Sequence, residues 1–143
     1  PFLKFMVRQR WLSKSLFYYA AKPKFIEKVL RKAYPSGNNV DRELISMLHK
    51  ASQRIGANEA FHGFINIFDD YLAPELMKDL KLPVDLIWGE KDPWESLSEA
   101  KDWLDSIECI RSLKIINGAG HCPHDEDPES VNKALIKIIQ QAK

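Results

Sequence analysis

Apolar positions recur with helical spacing over residues 2–72, and beyond Pro74 the pattern changes to an alternation of strand, loop and helix. A basic, aromatic segment from Phe2 to Ala21 stops before Pro23, and a second, from Lys24 to Tyr34, ends at the turn cluster Pro35-Ser36-Gly37-Asn38-Asn39. Asp41 is placed to cap a third helix in which Leu44, Leu48, Ala51 and Ile55 make one apolar stripe, with Gly56 ending it. Asn58 is placed to cap a fourth, whose Phe61, Phe64, Ile65, Phe68 and Leu72 share a face up to the break at Ala73-Pro74.

Residues 75–82 form a link to Pro83 and the β-rich run Val84-Asp85-Leu86-Ile87-Trp88, which Gly89 closes. Ser96 and Glu99 have capping-box spacing, and Leu97, Ala100, Leu104 and Ile107 carry the helical period onward, which predicts a helix over 96–108. Leu113 to Asn117 is the second strand-like run, ended by Gly118-Ala119-Gly120. Asp127-Pro128 supplies a cap and a first-turn proline for a last helix with Val131, Ala134, Leu135 and Ile138 toward a core. Two strands joined through a helix are parallel neighbours, so the class is α/β. A parallel sheet needs cover on both faces and more than two strands. The expectation is therefore that further strands of this sheet lie outside the 143 residues and that Pro1 is a cut end.

Composition narrows the picture. With 45% hydrophobic and 29% charged residues, disordered and fibrous readings fail. The net charge of +1 hides an asymmetry: up to Tyr34 there are nine Lys and Arg against the single Glu27, whereas the remainder carries twelve basic and nineteen acidic residues. That acidic remainder argues against a nucleic-acid partner. Two cysteines, Cys109 and Cys122, are too few for a disulfide framework and suit a reducing, intracellular setting. The longest apolar run near the start, Leu16 to Ala21, is too short to span a membrane.

Candidate chemistry sits in the loops that follow the two strands. The first reads Trp88-Gly89-Glu90-Lys91-Asp92-Pro93-Trp94 and the second Gly118-Ala119-Gly120-His121-Cys122-Pro123-His124-Asp125-Glu126. Ligand sites of open α/β sheets lie at the carboxyl ends of the strands, which puts Asp92 and His121 on one edge. A carboxylate beside an imidazole fixes its tautomer and stabilises its protonated form, so His121 can serve as general base and then acid. Asp92 also has a plainer reading, as a turn residue bonded to its own backbone. His121, Cys122, His124 and Asp125 invite a metal reading, but Pro123 interrupts them and no second ligand cluster follows, so no metal is expected. His124 and Glu126 are expected to orient the loop or interact with the last helix, Asp125, Glu126 and Asp127 to act as negative charges at the start of that helix, and Glu90 to be solvated.

These loops resemble the C-terminal part of the α/β-hydrolase fold family, in which a Gly-x-x-Asp turn gives the acid and a later Gly-His gives the base. Gly89-Glu90-Lys91-Asp92 and Gly120-His121 match in residue and order, and the run His121-Cys122-Pro123-His124-Asp125 with Pro128 is most similar to plant and cyanobacterial pheophytinase-like members. The resemblance implies that Asp92 is the triad acid and His121 the triad base. It also implies a helical lid over 1–74, the C-terminal part of the core over 75–143, and no cofactor. Trp94, Phe61 and Phe64 would then line the pocket of a small hydrophobic substrate, an ester or similar carbonyl compound, or simply pack as core. A chloroplast location is suggested by the resemblance alone.

The departures matter as much. None of the ten serines lies in a Gly-x-Ser-x-Gly elbow, so the nucleophile and oxyanion hole are expected in the absent N-terminal part of the core, and the 143 residues by themselves are expected to be inactive. An Asp nucleophile in that part would instead imply epoxide hydrolase or haloalkane dehalogenase chemistry. A rival of another class is a non-enzymatic binding module: Lys4, Arg8, Arg10 and Lys14 interleave with Phe5, Trp11, Leu12 and Leu16, a pattern suited to peripheral contact with an anionic membrane or to an acidic protein.

Overall fold

A computed structural model describes residues 8–67 and 72–141. The chain divides into two compact units, one built from the residues up to Leu30 and from Val40 to Leu72, the other from Arg31–Asn39 and from Ala73 onward.

The first unit is helical: α1 (Arg10–Ala20), most of α2 (Pro23–Ala33), α3 (Arg42–Ser52) and α4 (Ala57–Ile67). Lys4, Phe5 and Phe68, singled out above, lie outside the described residues. Asp41 caps α3 by accepting from the Leu44 amide at 2.8 Å. The helix ends at Ser52 rather than running through the expected stripe to Ile55, which is fully exposed. Ser52 turns its hydroxyl back to the His49 carbonyl at 2.7 Å, and Gly56 follows at φ +86°, so the chain has left the helix before Ile55 is reached. A polar link joins α1 to α4: Ser13, almost wholly buried, meets Nδ1 of His62 at 2.8 Å, while Asn66 contacts Nε2 of the same ring at 3.2 Å. Phe17, Phe25, Ile26, Leu30, Leu48 and Phe61 line an apolar cavity of about 300 Å³.

The second unit carries the α/β part. A short helix α5 (Ala73–Met77) occupies the expected link, followed by β1 (Val84–Gly89), α6 (Leu97–Ser106), β2 (Ile110–Ile116), a one-turn helix α7 (Pro123–Glu126) and α8 (Pro128–Gln141). The strands are parallel neighbours, as the crossover rule requires. β2 begins three residues before the expected start. The register steps from Val84 opposite Ile110 to Asp85 opposite Ser112, so Arg111 is an extra residue, a bulge that brings two successive side chains to one carboxylate. Arg111 and Ser112 both donate to Asp85, and the guanidinium holds that carboxyl below its usual range. Trp88 of β1 packs edge-on against Trp103 of α6, with ring centroids 5.5 Å apart. The last residues of both strands, Gly89 and Ile116, are buried, whereas the rest of β1 is only half-buried. Half-buried parallel strands, with Leu135, Ile136 and Ile139 of α8 exposed, are the signature of a partial core.

The capping box at the head of α6 forms in full: the Glu99 amide donates to Ser96 Oγ, and the Ser96 amide donates to the Glu99 carboxylate, each at 3.2 Å. Ser96→Ala should lower stability by about 1 kcal/mol in urea denaturation, because two amides at the helix start lose their arrangement together. An unchanged urea midpoint would show that the box contributes nothing.

Candidate active site

The site lies where the two strands end. β1 and β2 deliver their last residues side by side, and the loops beyond them are bonded together. The Glu90 amide donates to the Ile116 carbonyl at 3.0 Å, and the Lys91 amide to Ala119 at 2.8 Å. The Glu90 carboxylate, exposed as expected, is nonetheless tied down, accepting from the Gly118 amide at 2.8 Å. Gly118 sits at φ +75°, a conformation open to glycine at little cost, and so turns the chain out of β2.

Within this frame the carboxylate of Asp92 makes both of the contacts its sequence context suggested. Oδ1 accepts from the amides of Trp94 (2.9 Å) and Glu95 (3.1 Å), a side-chain turn that fixes the group. Oδ2 faces Nδ1 of His121 at 2.9 Å. The turn and the ion-pair readings are thus two halves of one arrangement, because the turn presents the second oxygen to the ring. With Nδ1–H donating to Asp92, the neutral ring carries its lone pair on Nε2, which has no hydrogen-bond partner among the described residues. The ring side chain is 42% exposed and the Asp92 side chain only 7%, so the carboxylate is sheltered while the imidazole is reachable.

Burial alone would raise the Asp92 pKa, but the Trp94 and Glu95 amides and the His121 ring together hold it below the usual carboxylate range. A carboxyl depressed in the folded state stabilises fully above its unfolded pKa, and the contribution fades as pH falls through the folded value. The stability gap between wild type and Asp92→Asn should therefore be complete above about pH 4 and close below it, as read by urea midpoints across the acid range. A gap independent of pH would contradict the assignment.

Trp94 stands edge-on to His121, with centroids 4.8 Å apart, and Lys32 Nζ lies 5.9 Å from the indole centroid. The structure therefore brings Asp92, Trp94 and His121 together. Phe61 and Phe64 belong to the helical unit, where Phe61 lines the apolar cavity and Phe64 is exposed. Among the described residues no three His, Cys, Asp or Glu side chains gather as metal ligands do. Asp125 is engaged elsewhere, accepting from the Tyr34 hydroxyl at 2.9 Å and from Asn39. Burial, and then Cys122 and Asp125, push the Tyr34 phenol well above its ordinary value, which keeps it a donor.

Glu126 follows its loop-orienting expectation, and not all three of Asp125, Glu126 and Asp127 act at the last helix. Asp127 does so, its Oδ1 accepting from the Ser130 amide at 3.0 Å. Glu126 is instead buried at 4% exposure and bonds to Ser36 and to the Gly120 amide. Ser36, 90 positions away, leaves no local signal beside Glu126, whereas Gly120 lies only six positions before it.

Parallel strands with the acid after the first and the histidine after the second, in a strand-turn-helix setting, define the C-terminal part of an α/β-hydrolase fold. Solved structures agree on that fold. The meta-cleavage product hydrolase CumD of Pseudomonas fluorescens superposes with a TM-score of 0.71 at 19% identity, over 85% of this chain and 47% of its own. CarC, a serine hydrolase involved in carbazole degradation, gives 0.70 at 17%, over 85% and 48%. MGS-M2, an α/β hydrolase from a deep-sea metagenome library of the Medee basin, gives 0.71 at 14%, over all of this chain and 52% of its own. The chain thus spans about half the length of the structures it matches. No protein-family model and no curated protein matches it. The similarity to pheophytinase-like members has no counterpart among these structures. No helix among the described residues is long and apolar enough to cross a membrane.

Proposed function

We propose that the chain is the lid and C-terminal part of the core of a hydrolase acting on an ester or similar carbonyl substrate, with Asp92 as acid and His121 as base of a nucleophile-His-acid triad. The observation that carries this reading is the 2.9 Å contact between His121 Nδ1 and a nine-tenths-buried Asp92 carboxylate, which leaves Nε2 without a hydrogen-bond partner among the described residues. Nε2 would take the proton of a serine hydroxyl as that oxygen attacks the carbonyl carbon. It would return the proton to the departing alkoxide, and the acyl-enzyme would then be cleared by a water that Nε2 deprotonates in turn. Asp92 keeps its charge throughout and stabilises the imidazolium. The serine and the oxyanion donors would be contributed by strands that precede the lid in a longer chain. Trp94, beside the base, would form one wall of the pocket for a hydrophobic acyl or alcohol group.

Turnover of an aryl ester by protein that includes those strands, and its loss in His121→Ala, tests the proposal. Undiminished turnover in the variant would refute it.

A further inference from the structure

We propose that Glu126 is a positioning residue for His121, acting with Ser36 through the backbone of Gly120. This deepens the proposed function, since it rests on His121 being the base. The Glu126 carboxylate is buried and accepts three hydrogen bonds: from the Ser36 amide at 3.1 Å, from the Ser36 hydroxyl, and, on its other oxygen, from the Gly120 amide. The next amide in the chain, that of His121, donates to the Ala33 carbonyl at 2.9 Å. Two successive amides are thus held by partners in two different segments, which fixes the peptide plane leading into His121.

The surroundings leave that plane little room. A Cβ on Gly120 would fall 2.3 Å from both the Ala33 carbonyl oxygen and Pro35 Cδ. Asn38 Nδ2 donates to the Glu126 carbonyl at 3.2 Å, and the Tyr34 hydroxyl donates to Asp125, so Arg31–Asn39 is bonded to the His121 loop at several points. With its Cα–Cβ direction set in this way, the imidazole has only its two side-chain rotations left. Trp94, T-shaped to the ring, and the Asp92 carboxylate are its contacts there. A buried carboxylate satisfied by three donors is costly to rearrange. A neutral amide in its place would offer one acceptor oxygen where two are used, and would turn an N–H toward one of the donors.

The experiment reads the His121 tautomer by nitrogen-15 NMR at neutral pH in the full chain, comparing wild type with Glu126→Gln. In wild type the Nδ1–H form should dominate, since the hydrogen bond to Asp92 selects it. In Glu126→Gln, with the amide fingerprint of β1 and α6 retained, the ring should revert toward the Nε2–H form that an unrestrained imidazole prefers. Where catalysis is measurable, kcat should fall about 10- to 100-fold with KM little changed, as a displacement of the order of 1 Å would produce. Wild-type-like tautomer and kcat in the folded variant would overturn the positioning role and leave the base assignment standing. An Nε2–H ring in wild type would instead overturn the Asp92–His121 reading itself, and the positioning role with it. Should Glu126→Gln fail to fold, Ser36→Ala removes one donor and carries the same test: a partial shift of the tautomer supports the role, and no shift refutes it.

Discussion

Asp92→Asn in protein that contains the nucleophile should lower kcat by about four orders of magnitude while leaving the fold in place. The isosteric amide would retain an oxygen for the Trp94 and Glu95 amides, which now bond Oδ1, so the turn persists. What then faces His121 Nδ1 is an N–H rather than an acceptor. The ring must place its own proton on Nε2 and its lone pair toward the amide, the wrong tautomer for taking a proton from a nucleophile. His121→Ala should cost at least as much, and combining the two should add little, because the pair acts as a unit. An activity of Asp92→Asn within tenfold of wild type, or multiplicative losses in the double variant, would refute a shared role. In either variant the residual rate should still exceed the uncatalysed rate, since binding and oxyanion donors remain.

The parts legible in the sequence were those governed by neighbours a few residues away. The Ser96 capping box, the Asp41 cap, the β-rich run of β1 and the first-turn Pro128 all announce themselves within one turn of chain, and the structure has each. The acid–histidine pair was legible for another reason: topology alone places the ends of adjacent parallel strands together, so their loops meet whatever their composition. Less visible was anything set by a distant partner. Arg111 and Ser112 lie before the apolar run Leu113 to Asn117 read from the sequence, yet both belong to β2, where the bulge makes them two donors to Asp85. Glu126 is expected both as a loop-orienting residue and as a helix-start charge, and what its neighbours do not show is its partner Ser36, 90 residues earlier. Ile55 fits the helical period, but the chain leaves the helix at Ser52, where local hydrogen bonding outweighs one more apolar contact.

Gly89→Ala should destabilise the second unit by about 3 kcal/mol, at the top of the overpacking range and well beyond an ordinary surface substitution. The reason is steric and local: a Cβ on Gly89 would stand 1.9 Å from the Gly120 carbonyl oxygen, 2.7 Å from that of Ala119 and 2.8 Å from the Gly120 carbonyl carbon. All three are backbone atoms, so no side chain can rotate away, and relief must come from parting the two strand ends. Parting them breaks the Lys91 to Ala119 and Glu90 to Ile116 hydrogen bonds that hold the loops together. It also carries Asp92 away from His121, so the melting temperature and the Nδ1–H tautomer should be lost together. Gly120→Ala, which meets Ala33 and Pro35 at 2.3 Å, should behave similarly. Gly63→Ala is the control: it lies within α4 with nothing inside 4 Å of the added methyl, and should gain up to about 1 kcal/mol from helix propensity. If Gly89→Ala melted like wild type, the close approach of the two strand ends, on which the whole site is built, would be wrong. If it melted early while keeping the wild-type tautomer, the strand ends and the Asp92–His121 contact would be independent of each other.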